Sequence, residues 1–147
     1  MKVALIYSCD DFIKEIEEDL RSKHEVRTFF YTKKQVKFYD IPSIVIRLKK
    51  LMKWADVCFF EWSTFLLAIA SRLRKPRNTR IVTRLHKFEI YSWMDRIKWY
   101  FVDRVIFVGE STRQRFMGLA QGKIHNYKLY TVRNFVDATL VNPPKNC

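Results

Sequence analysis

Short, almost continuous apolar runs recur along this chain, and most are followed by a stretch whose apolar residues fall at helical spacing. Val3–Tyr7, Val57–Phe60 and Val105–Val108 are the clearest runs. A run that is apolar at consecutive positions suits a strand covered on both faces, which is the habit of parallel sheets. Parallel strands need a crossover, and the helical stretches between the runs supply one.

Along the chain the pattern predicts the following elements. Lys2–Ser8 is the first strand. Phe12, Ile13, Ile16 and Leu20 then recur at helical spacing, with acids early and Arg21, Lys23 and His24 late, as a helix dipole favours. Asp10 and Asp11 are placed to cap that helix. Glu25–Phe30 is the second strand. Asp40 and Pro42 introduce a helix over Ser43–Trp54, whose stripe is Ile44, Val45, Leu48, Leu51 and Met52, with Arg47, Lys49, Lys50 and Lys53 off it. Strands at Ala55–Glu61, Arg80–Leu85, Arg104–Val108 and Lys128–Val132 alternate with helices at about Ser63–Leu73, Glu89–Phe101 and Ser111–Met117. Within the helix expected over Glu89–Phe101, Trp93, Ile97 and Tyr100 read as core positions. The expected fold is α/β, a Rossmann-like parallel sheet of about six strands with helices on both faces. At 147 residues the chain suits one domain, spanning residues 1–141, with 142–147 as a tail or the start of an interdomain linker.

Composition narrows the class. A chain that is 48% hydrophobic and 16% aromatic is too rich in core residues to be disordered. No apolar run approaches the roughly 18 residues needed to cross a bilayer, and the run at Val3–Tyr7 is too short for a secretory signal. The expected location is therefore cytoplasmic. Cys9, Cys58 and Cys147 are scattered, which suits neither a disulfide framework nor a CxxC pair, and with only three histidines a structural zinc site is not expected.

The net charge of +13 is uneven. Between Glu61 and Glu89 there are seven bases and no acid, and between Glu110 and Asp137 there is again no acid. Such a surface attracts phosphate, whether on nucleic acid, on lipid headgroups or on a phosphorylated ligand, and charge alone does not choose among them. Basic residues spread over several elements, with no recognisable reader motif, weigh against nucleic acid. The basic helix at Ser43–Trp54 has the profile of a membrane-surface element, though its apolar stripe is what any helix packed on a sheet needs. The two roles are compatible, with the stripe inward and the lysines toward the inner face of an anionic membrane.

Only Gly109, Gly118 and Gly122 are present, so neither G-x-G-x-x-G nor a P-loop can be written. Acids follow the first strand and would repel a pyrophosphate there. A self-sufficient dinucleotide-binding or NTP-hydrolysing domain is not expected on those grounds. The site of a parallel sheet is expected beyond the carboxyl ends of its strands. Those ends carry Ser8–Asp11, then Glu61, Trp62 and Ser63, then Arg84, His86 and Glu89, then Gly109, Glu110 and Ser111, and finally Arg133 and Asn134 with Asp137 nearby.

The segment IVTRLHKFE, residues 81–89, resembles the fourth-strand element of GT-B glycosyltransferases of the family 4 type, where a strand ends in an Arg-x-His-x-x-Glu-like pattern. MKVALIYS is similar to their first strand, and ADVCFFEWS to their third strand and its loop. VDRVIFVGESTRQRF is similar to a later strand and helix, and KLYTVRNFVD to the element that closes their N-terminal domain. The resemblance covers nearly the whole chain. It departs where SCDDF replaces a glycine-rich loop and where Phe135, not glycine, follows Asn134. Glu17 and Glu25 have the Glu-x7-Glu spacing of the family's donor-binding half, but they fall on the first helix and second strand, the wrong context.

The resemblance implies the acceptor-binding half of a retaining glycosyltransferase, with the donor-binding half absent from this chain. It implies a nucleotide-sugar donor and a sugar or lipid-linked acceptor as partners, no metal and no resident cofactor. It makes His86 the first choice for a catalytic residue, and Arg84, Glu89, Glu61, Glu110 and Asn134 candidates for binding substrate. Each has a plainer reading. His86 is also an ordinary strand-end histidine, Arg84 a salt-bridge partner of Glu61 or Glu89, and Glu89 a first-turn acid. Glu61 and Glu110 are also helix caps, and Asn134 a turn residue. The rival functions are a basic nucleic-acid-binding module and a membrane-surface or interaction protein without chemistry.

Overall fold

The computed structural model describes residues 1–8, 13–31, 37–120, 122, 124–125, and 128–132. Within them six parallel strands form one sheet: β1 (Lys2–Tyr7), β2 (Glu25–Phe30), β3 (Val57–Glu61), β4 (Arg80–Leu85), β5 (Arg104–Phe107) and β6 (Leu129–Thr131). Their order is β2-β1-β3-β4-β5-β6. The helices are α1 (Lys14–Lys23), α2 (Ile41–Trp54), α3 (Phe65–Ala70), α4 (Lys87–Ser92) and α5 (Glu110–Leu119), with 3-10 turns at Phe38–Asp40 and Trp99–Phe101. This is the Rossmann-like α/β fold expected from the alternation of runs.

Strand parity explains which residues are buried. Ala4, Ile6, Phe29, Cys58, Phe60, Ile81, Leu85, Val105 and Phe107 form one cluster with Ile44, Leu48 and Met52 of α2, Leu66 and Leu67 of α3, Ile90 of α4 and Phe116 of α5. One face of the sheet is thus covered by α2 to α5. On β1 the opposite-facing Val3 and Leu5 are buried too, as is Ile13 at the start of α1. The right-handed crossover from β1 to β2 runs in the opposite direction to the later ones, which puts α1 on the other face. The stripe expected on α2 is the buried one, except that Val45 is half-buried, and Arg47, Lys49, Lys50 and Lys53 are exposed.

Four helices differ from expectation: α5 runs Glu110–Leu119, a residue earlier and two later than Ser111–Met117, and three others depart as follows. α2 starts at Ile41, two residues before Ser43, with Pro42 in its first turn. α3 is six residues long because Ser71 Oγ and an Arg72 guanidinium nitrogen both donate to the Ala68 carbonyl, closing the helix early. The helix expected over Glu89–Phe101 is in fact α4, irregular chain, and a 3-10 turn. Trp99 Nε1 donates to the Met94 carbonyl at 2.8 Å and Lys98 N to Ser71 Oγ at 3.1 Å, bonds that replace a helical ladder. Ile97 and Trp99 are buried and Trp93 packs against the core, whereas Tyr100, expected inside, is 72% exposed. The caps assigned to Asp10 and Asp11, and the tail at 142–147, lie outside the described residues.

Chain direction across the sheet reverses at β1, which lies between β2 and β3. That switch point opens a crevice beyond the carboxyl ends of β1 and β3, where open α/β sheets bind their ligands.

Candidate functional site

At those ends four of the predicted residues meet. Parallel pairing sets Glu61 of β3 opposite Arg84 of β4, so both side chains stand on the same face at the same height. Arg84 Nε and a terminal guanidinium nitrogen donate to Glu61 Oε1 at 2.9 and 2.6 Å. His86, which follows β4, places Nε2 3.1 Å from the same oxygen. The Glu61 side chain is wholly buried, and its other oxygen, Oε2, has no hydrogen-bond partner among the described residues.

Glu89 is the third residue of α4. Its Oε2 accepts from the His86 backbone N–H and its Oε1 from the Ser63 N–H, both at 2.6 Å. The first bond caps α4; the second ties it to the loop after β3. Ser63 Oγ in turn lies 2.9 Å from Thr83 Oγ1, fixing that loop against β4. Burial pushes the Glu89 carboxyl up to about 8, outweighing the backbone N–H groups that favour its ionised form, and the nearby Glu61 charge acts in the same direction as burial.

Trp62 closes the cluster. Its ring stacks on the His86 imidazole with centroids 4.0 Å apart and planes 13° from parallel. Among the described residues the indole Nε1–H is buried without a hydrogen-bond partner, like Glu61 Oε2. Trp62 is also the one described non-glycine residue at positive φ, +73°. A tryptophan held in left-handed backbone costs roughly 1 to 2 kcal/mol, and such strain gathers where a loop must aim a side chain. It follows that Trp62→Gly will be the more stable of two truncations, exceeding Trp62→Ala by about 1 kcal/mol in urea denaturation. Equal stability, or an advantage for alanine, would mean that the strain is absent.

Beside this cluster a cavity of about 280 Å³ is lined by Ser8, Thr64, Phe65, Phe88, Ser92 and Trp93. Ser8 Oγ and Thr64 Oγ1 lie 3.2 Å apart across the β1–β3 switch point, so the cavity sits where the topology places a ligand. Three hydroxyl side chains and three aromatic rings line it, a mixture that suits a small polyhydroxylated ring, which offers both C–H faces and O–H edges.

Glu110 is not part of this network. It opens α5 and pairs with Thr131 Oγ1 at 3.0 Å and Arg113 at 3.6 Å. Asn134 lies outside the described residues. Trp62 stands among the strand-end residues expected at the site, but its stacking on His86 and the part of Thr83 were not anticipated. A strand threonine facing the helices carries no distinctive signal, whereas Trp62 immediately follows a strand-end glutamate, a place where an aromatic residue can be suspected. Among the described residues no three His, Cys, Asp or Glu side chains gather as metal ligands, and no helix is long and apolar enough to cross a membrane. Cys58 is buried, and burial pushes its thiol up to about 12, far from a reactive thiolate.

Comparison of the sequence with protein-family models and with curated proteins finds no match.

Proposed function

We propose that this chain is the acceptor-side half of a retaining, nucleotide-sugar-dependent glycosyltransferase of GT-B type. The observation that carries the reading is the stacked Trp62–His86 pair joined to a buried glutamate at the carboxyl end of β3, with Glu61 Oε2 and the Trp62 indole N–H unpartnered among the described residues. Sugar hydroxyls both donate and accept, so a sugar that reached this cluster would offer a partner of either kind. The resemblance of residues 81–89 to the family's fourth-strand element adds to this support.

In the proposed reaction the donor's bond from the anomeric carbon to phosphate breaks, and a new bond forms from that carbon to an acceptor oxygen. The acceptor's proton leaves with the nucleoside diphosphate. His86 hydrogen-bonds a sugar hydroxyl in the cleft, Glu61 holds the imidazole, and Arg84 balances the Glu61 charge. Their contribution is orientation and charge stabilisation in a site shielded from water. The diphosphate-binding groups belong to the donor half, supplied by further chain or by a partner subunit.

The test is transfer by the native polypeptide, captured from its source cells with an antibody to this domain. It is incubated with radiolabelled UDP-glucose, UDP-N-acetylglucosamine and GDP-mannose and a total extract of lipids and soluble glycans. Label is expected in one acceptor fraction, and His86→Ala should lower the rate at least tenfold. Absence of transfer from all three donors, or transfer indifferent to His86, contradicts the assignment. A second reading, a basic module without chemistry that meets nucleic acid or an anionic membrane surface, draws on the outward cations of α2. It expects liposome or oligonucleotide binding that is unchanged in His86→Ala.

A further inference from the structure

A second concavity lies away from the site just described, at the outer edge of the sheet. About 420 Å³ in volume, it is lined by Arg21, Arg27, Arg47 and Lys50 together with parts of β2 and α2, and by no acid. β2 ends the strand order, so this edge has no partner strand among the described residues. Arg21 is held by Glu17 and donates to the Val26 carbonyl of the edge at 3.2 Å. Arg27, Arg47 and Lys50 form no ion pair among the described residues.

Two of these cations are set in place rather than left to wander. The Arg27 guanidinium lies over the Trp54 ring at 4.2 Å and that of Arg47 over the Phe29 ring at 4.6 Å. A ring beneath each guanidinium restrains it, and a guanidinium can meet phosphate oxygens two at a time. Three unpaired cations around one hollow repel each other, and a bound anion relieves that repulsion. Edge protection against strand pairing would explain a charge on β2, but not the Arg47 guanidinium and Lys50 ammonium that α2 adds to the lining of the same hollow. The sequence repeats the bias: between Glu25 and Asp56 there are eight bases and the single acid Asp40.

We propose that this concavity binds a phosphate group, carried either by a soluble phosphate ester or by a phospholipid headgroup. The inference does not depend on the glycosyltransferase reading, since none of its residues touches the His86 cluster.

The experiment is calorimetric titration of the protein with pyrophosphate, paired with cosedimentation on phosphatidylcholine vesicles with and without phosphatidic acid. Arg27→Gln/Arg47→Gln is compared with Arg113→Gln/Arg115→Gln, which removes the same charge from α5; matching thermal melts establish that both fold. The expected result is at least tenfold weaker binding in the first pair and less than twofold change in the second. Pyrophosphate binding without cosedimentation assigns the site to a soluble ester, and cosedimentation that pyrophosphate reverses assigns it to a headgroup; either supports the proposal. Equal losses in the two pairs would mean diffuse attraction and would overturn it. So would failure to bind both probes, or tighter binding of a single-stranded oligonucleotide that both pairs weaken alike.

Discussion

Arg84→Met is expected to destabilise the fold by about 3 to 5 kcal/mol, which would appear as a large fall in the urea midpoint at unchanged slope. The reason is the state in which the substitution leaves Glu61. Its side chain is wholly buried and its Oε1 receives both nitrogens of Arg84, so removal of the guanidinium strands a carboxylate with only His86 beside it. The cost arises from the unpaired charge rather than from the worth of the ion pair, and the double substitution separates the two. Replacing both Arg84 and Glu61 by methionine should recover much of the loss, because two apolar side chains of similar volume need no desolvated charge. A loss under about 1 kcal/mol in the single variant would mean that water reaches the pair, as it reaches surface ion pairs.

Glu89 gives the second large effect, and it depends on pH. Below 4.5, its ordinary value, the group carries a proton in both folded and unfolded chains. Between there and about 8 the folded chain keeps a proton that the unfolded chain has lost. Stability contributed by that proton is therefore complete at low pH and drains away as pH rises through the interval, by about 1.4 kcal/mol per pH unit. Above about 8 the contribution is gone. Glu89→Gln cannot titrate, so its stability profile should be flatter than that of the parent between pH 5 and 8. The amide can accept only through one atom and loses one of the two backbone N–H bonds, so the variant starts lower at pH 5 and the gap narrows toward pH 8. Parallel profiles for the two proteins would refute the raised carboxyl.

Most of the sheet was legible because strands buried on both faces leave their mark in one dimension. All six strands lie within a residue or two of the apolar runs that predicted them. Helices were harder where tertiary bonds override spacing. Trp93, Ile97 and Tyr100 sit at helical intervals, but Trp99 and Lys98 bond to Met94 and Ser71, and the chain leaves the helix after Ser92. For the site, the pattern Arg84, His86, Glu89 was readable as a strand end followed by a first-turn acid. That Glu61 would be the residue to receive both Arg84 and His86 depended on strand register, which a single sequence does not disclose. The left-handed backbone of Trp62 was invisible for a plainer reason: no glycine stands there to announce it.

The proposed function makes a sugar-binding surface of Trp62 and His86, and the indole N–H, unpartnered among the described residues, offers a direct reporter. In a nitrogen-15 correlation spectrum the Trp62 indole N–H, assigned by its loss in Trp62→Gly, is followed during titration with methyl glycosides of glucose, mannose and N-acetylglucosamine. The expected result is a saturable shift of that resonance with at least one glycoside, accompanied by backbone shifts at Ser63 and His86. An indole resonance that stays fixed with all three, while the protein remains folded, would contradict the assignment of this cluster to sugar recognition.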